Sequence, residues 1–247
     1  MPFIDLHCHI LPGLDDGAEI SDDSLQMAKV ALDGGSAAII CTPHTFPRAR
    51  YAPNDFRNAM IDTKEALRDS EIALPLYPGQ EIFLPRGEDA HGIAEALERS
   101  ALLTLNRSVY PLIEFDPYET AEAALDAVDI LCASGFVPVI AHPERDFFIF
   151  ENPNAASLLH EHGALLQLNK GSITGFFGRD VADTAHELLR AHLADFVASD
   201  AHSPYRRTPD LREAHEWISE NLSESYADFL LWSNPARVLK NEKILPY

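Results

Sequence analysis

Short apolar runs alternate with longer stretches of helical period along most of this chain. FIDL (3–6), AAIIC (37–41), LPLYPG (74–79), YPLIEF (110–115), FVPVIA (136–141), ALLQLN (164–169) and DFVAS (195–199) are each four to six residues long and mainly apolar. Runs of that length without clear alternation are the pattern of strands buried on both faces of a parallel sheet. Between the first two lies SDDSLQMAKVALDGG, which predicts a helix capped by Ser21, with Leu25, Ala28 and Leu32 on one face and Gly34 as its stop. PNDFRNAMIDTKEALRD, ETAEAALDAVDILCASG, NPNAASLLHEHG and DVADTAHELLRAHL repeat that logic. TPDLREAHEWISEN and NPARVLK predict further helices over the outside or bottom of the fold. Seven strands alternating with helices predict a parallel sheet that is either closed into a barrel or doubly wound. No repeat, low-complexity segment or Ser/Gly-rich linker divides the chain, so residues 1–247 are expected to form one domain.

Each run delivers polar side chains at its carboxyl end. His7 and His9 follow the first, His44 of TPH the second and Glu81 of GQE the third. Glu114 lies in the fourth, near Asp116; His142, Glu144 and Arg145 follow the fifth, Asn169 and Lys170 end the sixth, and Asp200 and His202 of SDAH follow the seventh. A β/α barrel builds its active site from strand ends and the loops after them on one face, so residues two hundred positions apart would converge there. Imidazoles and carboxylates without thiolates suit Mn, Fe or Zn, and eight or nine such groups exceed what one ion needs. A lone histidine at a strand end is usually a hydrogen-bonded loop residue. Repeated histidine-bearing motifs, each directly after an apolar run, are not explained that way.

Other residues divide less sharply. His91, His160, His162, His186, His192 and His215 lie in helical or loop patterns and are expected to be solvated. Cys8, Cys41 and Cys132 are few, odd in number and far apart, which fits packing roles in a reducing compartment. Asp5 is open between orienting a ligand histidine and capping a turn. Spacing does not decide which of the adjacent Asp15 and Asp16 meets a metal. Arg48, Arg50 and Tyr51 form a loop that either binds an acidic or aromatic substrate or is simply solvated.

Charge narrows the partners. With 19 basic against 39 acidic side chains the net charge is −20, which argues against a surface that tracks a nucleic-acid backbone. A small phosphorylated group stays open, because local arginines or metal ions override the net field at one pocket. The amino terminus lacks a basic stretch followed by an apolar run, and no window holds eighteen apolar residues, so no membrane insertion and a cytoplasmic location are expected. The acidic outer helices are compatible with an oligomer.

The ordered set HCH with the later DG, TPH, GQE, IEF, AHPER and SDAH resembles the PHP (polymerase and histidinol phosphatase) superfamily of metal-dependent phosphoesterases. The longer phrases HCHILPGLDDGA, PGQEI, VIAHPER, LQLNKGSITGFFG and VASDAHS resemble, within it, the bacterial PHP-type protein-tyrosine phosphatases linked to capsule and exopolysaccharide production. The likeness runs from Ile4 to NPARVL near the end. It implies a distorted seven-stranded (β/α)7 TIM-like barrel holding three divalent ions, often manganese. His7, His9, Glu81 and Asp200 would hold one ion, Asp16, His44 and His202 a second, and Glu81, Glu114 and His142 the third. Arg145 matches a phosphate-clamping arginine and Arg207 a second, with Arg206 adjacent to it. The implied partner is a phosphotyrosine protein, namely the tyrosine-rich tail of a kinase for polysaccharide export. The chain departs from the pattern at Thr45, where family members commonly carry a second histidine, and at Lys170, where a lysine would meet phosphate or reach solvent.

This resemblance agrees with the chemistry of the residues. Clustered divalent ions acidify a bound water and neutralise phosphoryl oxygens, while forked arginines hold the non-bridging oxygens. Neither Cys8 nor Cys41 is followed by the arginine-rich loop that a cysteine-dependent phosphatase needs. A small-molecule phosphatase acting on histidinol phosphate shares the expected metal site and differs only in substrate. A nuclease is disfavoured by the charge, and a non-catalytic metal scaffold by retention of the ligands and arginines.

Overall fold

The computed structural model describes residues 2–49 and 51–247. Among the described residues there are eight parallel strands, β1 Phe3–Cys8, β2 Ser36–Cys41, β3 Leu76–Pro78, β4 Glu81–Leu84, β5 Leu112–Phe115, β6 Val139–Ala141, β7 Leu165–Asn169 and β8 Phe196–Ala198, with helices between all neighbours in sequence except β3 and β4. They form two sheets, β1-β2-β3 and β4-β5-β6-β7-β8, and every pairing is parallel. The molecule is therefore an α/β fold with parallel sheets.

The expected count of seven strands is corrected at LPLYPG, because the strand there changes partner instead of ending. Leu76–Pro78 pairs with β2, and only Gly79 and Gln80 separate it from Glu81, which opens β4 against Leu112 of β5. Gly79 passes so close to β2 that a Cβ would stand 2.9 Å from Cγ2 of Ile40. Glu81 consequently lies within a strand and not in a loop after one. Two seams join the sheets, one where β1 and β8 end and the other where the segment after β2 meets the start of β4. At one, Cys8 bridges to Ala201 and the Asp200 N–H donates to the His7 carbonyl at 2.8 Å; at the other, His44 bridges to Glu81 and the Thr45 N–H donates to the Glu81 carbonyl at 3.0 Å.

The helices are α1 Ser21–Asp33, α2 Pro53–Asp69, α3 His91–Glu98, α4 Ala121–Ala133, α5 Phe147–Glu151, α6 Asn154–Glu161, α7 Lys170–Ile173, α8 Arg179–Arg190, α9 Arg212–Asn221, α10 Glu224–Asp228 and α11 Asn234–Leu239. Ser21 is not the cap of α1. It is the first helical residue, and Asp23 closes the helix start by accepting the N–H groups of Glu19 and Ile20, each at 3.2 Å. The buried face of α1 is Ser24, Met27, Ala28 and Ala31, while Leu25 and Leu32 lie at its half-buried edge. Small Ala28 and Ala31 let the helix approach the sheet closely, which moves the larger leucines to the flank.

Leu6 and Ile40 from one sheet pack in a common core with Leu112, Val139 and Phe196 from the other. Strand alternation sets Leu112 beneath Glu114, and Leu165 beneath Gln167 and Asn169. A polar layer thus rests on an apolar plug. That layer is the functional end of the molecule.

Candidate metal centre

Four buried donor atoms converge where β1 and β8 end and β4 begins. Nε2 of His7 lies 3.2 Å from Nε2 of His9, and both are 3.3 Å from Oε2 of Glu81. Oδ1 of Asp200 is 3.5 Å from His7 and 3.4 Å from His9. Donors about 2.1 Å from a common ion, arranged as a tetrahedron, are separated by about 3.4 Å, so these edges fit one cation.

Two further groups adjoin the first. Oδ1 of Asp16 is 3.5 Å from Nε2 of His44 and 3.3 Å from Nε2 of His202, and these three with His9 form one candidate ligand set. Nε2 of His142 is 3.0 Å from Oε1 of Glu81 and 3.8 Å from Oε1 of Glu114. His44 turns its other nitrogen toward this third group, with Nδ1 at 2.8 Å from Oε2 of Glu81 and 3.7 Å from Oε2 of Glu114. All nine ligand-type residues expected from the sequence are therefore brought together, and Glu81 touches every imidazole here except His202.

The donor chemistry passes a direct test for cations. Nδ1 of His44 and Oε2 of Glu81 are buried without a hydrogen-bond partner among the described residues. His44 and Glu81 approach within 2.8 Å, yet the contact lacks hydrogen-bond alignment. Buried polar atoms left unsatisfied in this way are costly unless an ion meets them.

Neighbouring side chains hold the ligands in place. Oε1 of Gln167 faces Nδ1 of His7 at 2.8 Å, Gln167 donates to Asn169 at 2.8 Å, and Asn169 donates to Oδ2 of Asp200 at 2.6 Å. Asp15 accepts at 2.7 Å from Nδ1 of His9, at 2.9 Å from the His44 N–H and at 3.0 Å from the Gly17 N–H. Asp15 thus orients the imidazole of one candidate ligand, His9, and anchors the backbone of another, His44, while Asp16 faces outward as the ligand-type carboxylate. Asp5 accepts from the Ser199 hydroxyl at 2.5 Å and N–H at 3.0 Å, fixing the turn before Asp200 and resolving its open role. Sequence reasoning missed Gln167, whose signal was a polar pair two residues apart, with Asn169, inside an apolar strand. Gln167→Ala should weaken metal binding about 10- to 100-fold, the usual effect of removing a partner that orients a ligand. Titration with Mn²⁺ followed by calorimetry checks this.

The backbone bends sharply at the site. His142 and Asp200 have φ of 37° and 48°, in the left-handed region that non-glycine residues seldom enter. Gly17 has no room for a side chain, since a Cβ would stand 2.3 Å from the His9 carbonyl oxygen. Gly17→Ala should therefore cost roughly 3 kcal/mol of stability in urea unfolding, at the upper end for overpacking.

Electrostatics mark the first group as a cation position. Burial opposes charging His7, but Glu81 and Asp200 outweigh it and raise its pKa. His9 is raised well above the ordinary range in spite of burial, chiefly by Asp15. Burial likewise opposes ionising Glu81 and Asp200, yet the histidines around both, and Arg207 beside Asp200, hold them well below the usual carboxylate range. Burial and then the Glu81 charge push Glu114 up to about 7, and burial and then Arg145 lower His142 to about 4.

One rim of this centre is cationic. Nη2 of Arg207 donates to Oδ2 of Asp200 at 2.5 Å, and Nη1 of Arg145 is 3.6 Å from the same oxygen. Both guanidiniums lie over the Phe177 ring, Arg145 at 4.8 Å and Arg207 at 5.6 Å from its centroid. Phe177 is pressed against Gly171, where a Cβ would come within 2.8 Å of the ring. Arg206 points elsewhere, over Phe176 at 5.5 Å. Lys170 neither meets this rim nor reaches solvent freely. Its ammonium donates to the carbonyls of Thr208 at 2.5 Å and Asp210 at 2.7 Å, tying down the segment that carries Arg207. Nε of Arg48 pairs with Oε2 of Glu114 at 2.9 Å, and its guanidinium covers the Phe83 ring at 4.2 Å, so this exposed loop residue also contacts the site. Arg50 lies outside the described residues.

Residues expected elsewhere are elsewhere, with one correction. His160, His162, His186 and His215 are half-buried instead of solvated: three pair with Asp195, Asp129 and Asp228 at 2.7, 2.8 and 3.0 Å, and His186 stacks on Trp217 at 3.9 Å. His91 and His192 are exposed. Burial raises the pKa of Cys8, Cys41 and Cys132, so none offers a ready thiolate. Thr45 is buried, with its hydroxyl accepting from the Phe83 N–H at 3.4 Å. Among the described residues no helix is long and apolar enough to cross a membrane.

Comparison with known proteins agrees along the whole length. The chain is 38% identical over 242 residues to the tyrosine-protein phosphatase YwqE of Bacillus subtilis, covering 98% of this chain and 93% of that protein. It is 32% identical over 249 residues to CapC of Staphylococcus aureus, covering 98% and 92%. A crystal structure from work on YwqE and on CpsB of Streptococcus pneumoniae, described as metal-dependent tyrosine phosphatases, superposes with a TM-score of 0.90 at 37% identity, covering 99% of this chain and 97% of that one. The phosphotriesterase homology protein of Escherichia coli shares the fold at a TM-score of 0.67 and 12% identity, over 96% and 98% of the two chains. A family profile for capsular polysaccharide synthesis, CpsB/CapC, matches residues 3–240, and the chain belongs to that family.

Proposed function

We propose that this protein is a metal-dependent protein-tyrosine phosphatase, a phosphoric monoester hydrolase acting on a phosphotyrosine protein in capsule or exopolysaccharide production. The observation that carries the reading is the juxtaposition of linked imidazole–carboxylate groups with two guanidiniums on Phe177, in a chain whose thiols are all pushed toward the protonated form. The substrate assignment is supported by the YwqE and CpsB relatives. Its partner is the phosphorylated tail of a bacterial tyrosine kinase.

The proposal has a structural side. Residues 1–247 act as a single domain, and the bent strand Leu76–Leu84 counts as one stave of a distorted seven-stranded barrel stitched at the two seams. The ligand sets are His7, His9, Glu81 and Asp200; Asp16, His44 and His202; and Glu81, Glu114 and His142. They serve three divalent ions, with manganese suited to this oxygen and imidazole donor set. When bound, such ions supply an acidified water near neutral pH and a counter-charge for the phosphoryl oxygens. Asp15 and Gln167 accept at Nδ1 of His9 and His7, which keeps each Nε2 lone pair aimed at the centre. Arg145 and Arg207 bind non-bridging oxygens in forked geometry and hold phosphorus in line. A phenolate leaves readily, so the site does not require a strong general acid. A cytoplasmic location belongs to the proposal and is supported by three cysteines that remain free.

The test compares substrates on one preparation of measured metal content. Turnover of a phosphotyrosyl peptide should exceed that of histidinol phosphate; faster hydrolysis of histidinol phosphate would reassign the enzyme to small molecules.

A further inference from the structure

A large cavity lined by described residues lies apart from the candidate metal ligands. It measures about 760 Å³ and lies between α2, the segment after β2 and the connection from α3 to β5. That volume is within the range of small-molecule sites. Its floor is apolar, with Phe56, Met60, Leu103 and the ring of Tyr51 contributing, and its edge carries three cations, Arg57, Lys64 and Arg107.

The spacing on α2 shows why the cavity is lined in this way. Pro53, Phe56, Arg57, Met60, Ile61 and Lys64 recur at three- and four-residue intervals and form one stripe of the helix. Such a stripe normally packs against a neighbouring element. Here Phe56 and Met60 join the core beside β2 and β3 and form the cavity's floor, while Ile61 beside them remains 49% exposed. The cations are uncommitted as well: among the described residues none of Arg57, Lys64 and Arg107 forms an ion pair. The one acid on the lining, Asp55, is engaged at the start of α2, accepting the Ala52 N–H at 2.8 Å. In a chain of net charge −20, three free cations around one apolar hollow form a local reversal of sign.

We infer that this cavity is a second binding site, separate from the metal centre, for a small amphipathic anion whose apolar body rests on Phe56 and Met60 and whose charge meets Lys64, Arg57 and Arg107. The closed contacts behind it are consistent with a preformed wall. The Gln80 amide donates to the Tyr51 hydroxyl at 3.0 Å and accepts the Leu103 N–H at 2.8 Å, so the site exists without rearrangement of β4.

Two fluorescent probes of similar shape test this on the full-length protein: 8-anilinonaphthalene-1-sulfonate, which carries a charge, and N-phenyl-1-naphthylamine, which does not. The sulfonate should bind saturably at one site per chain. The double variant K64E/R107E, altered only at exposed positions, should weaken it about tenfold or more, equivalent to about 1.4 kcal/mol, while leaving the neutral probe within about twofold. Met60→Trp, which fills the hollow, should weaken both probes. Saturating inorganic phosphate should not displace either. Absence of saturable binding, equal loss of both probes in K64E/R107E, or displacement of the sulfonate by phosphate would each overturn the assignment, the last by moving the anion to the arginines of the metal centre.

Discussion

Glu81→Gln should strip bound divalent ions from the protein and lower turnover of a phosphotyrosyl peptide about a thousandfold, the scale of several kcal/mol of lost charge stabilisation. The side chain is fully buried, and its two oxygens reach four imidazoles: His7 and His9 at 3.3 Å, His44 at 2.8 Å and His142 at 3.0 Å. Glutamine keeps the volume and one oxygen but removes the negative charge and points an N–H₂ group at nitrogens that should bind an ion. Two ligand groups therefore fail together. Metal content by mass spectrometry, read beside activity, checks the outcome. A chelator should lower the melting temperature of the wild-type protein, because ligands that bind only the folded state stabilise it. The same chelator should leave Glu81→Gln almost unmoved. A variant that retained full metal and full turnover would remove Glu81 from the centre.

That central role was only partly legible in the sequence. Glu81 is recognisable as a candidate ligand because GQE follows an apolar run, but the run itself predicts a strand that ends at Gly79. Period and composition do not reveal that a strand will exchange one neighbour for another. The change depends on Gly79 passing Ile40, a contact between segments about forty residues apart. The histidines and acids at the other strand ends were legible for a simpler reason: parallel strands bury both faces, so polar residues concentrate where the strands stop.

Adjacent residues were the harder case. Asp15 and Asp16 are equivalent by spacing, and only the turn closed by Gly17 sends one carboxylate inward to His9 and the other toward His202. Gln167 was hidden because one further amide two residues before Asn169 reads as a tolerated interruption of an apolar strand until its partner His7, 160 positions away, is known. Arg48 and the cavity beside α2 are products of loop conformation, which hydrophobic periodicity does not encode. The arginines were legible by likeness of motif, and their support was not: Phe177 and Lys170 act through the guanidiniums and the loop they hold.

The two arginines should separate when each is replaced by alanine. Arg145→Ala is expected to lower kcat/KM for a phosphotyrosyl peptide about 10²- to 10³-fold, as for removal of one preorganised oxyanion donor, with bound metal unchanged. Its guanidinium is 3.6 Å from Asp200, too far for a direct hydrogen bond, and rests mainly on Phe177. Arg207→Ala should lower activity by a similar factor and weaken metal binding too. Arg207 donates at 2.5 Å to the Asp200 oxygen that also accepts from Asn169, and after His7 and His9 it contributes to holding that carboxylate below its usual range against burial. Lysine at either position should restore little, because a point charge neither stacks on Phe177 nor offers a fork to phosphate. Inhibition by inorganic phosphate provides an independent measure, since both alanine variants should bind it more weakly even where metal is retained. Equal loss of metal in both variants would mean that Arg145 also serves the ligands; unchanged kcat/KM in Arg145→Ala would remove it from the phosphate clamp.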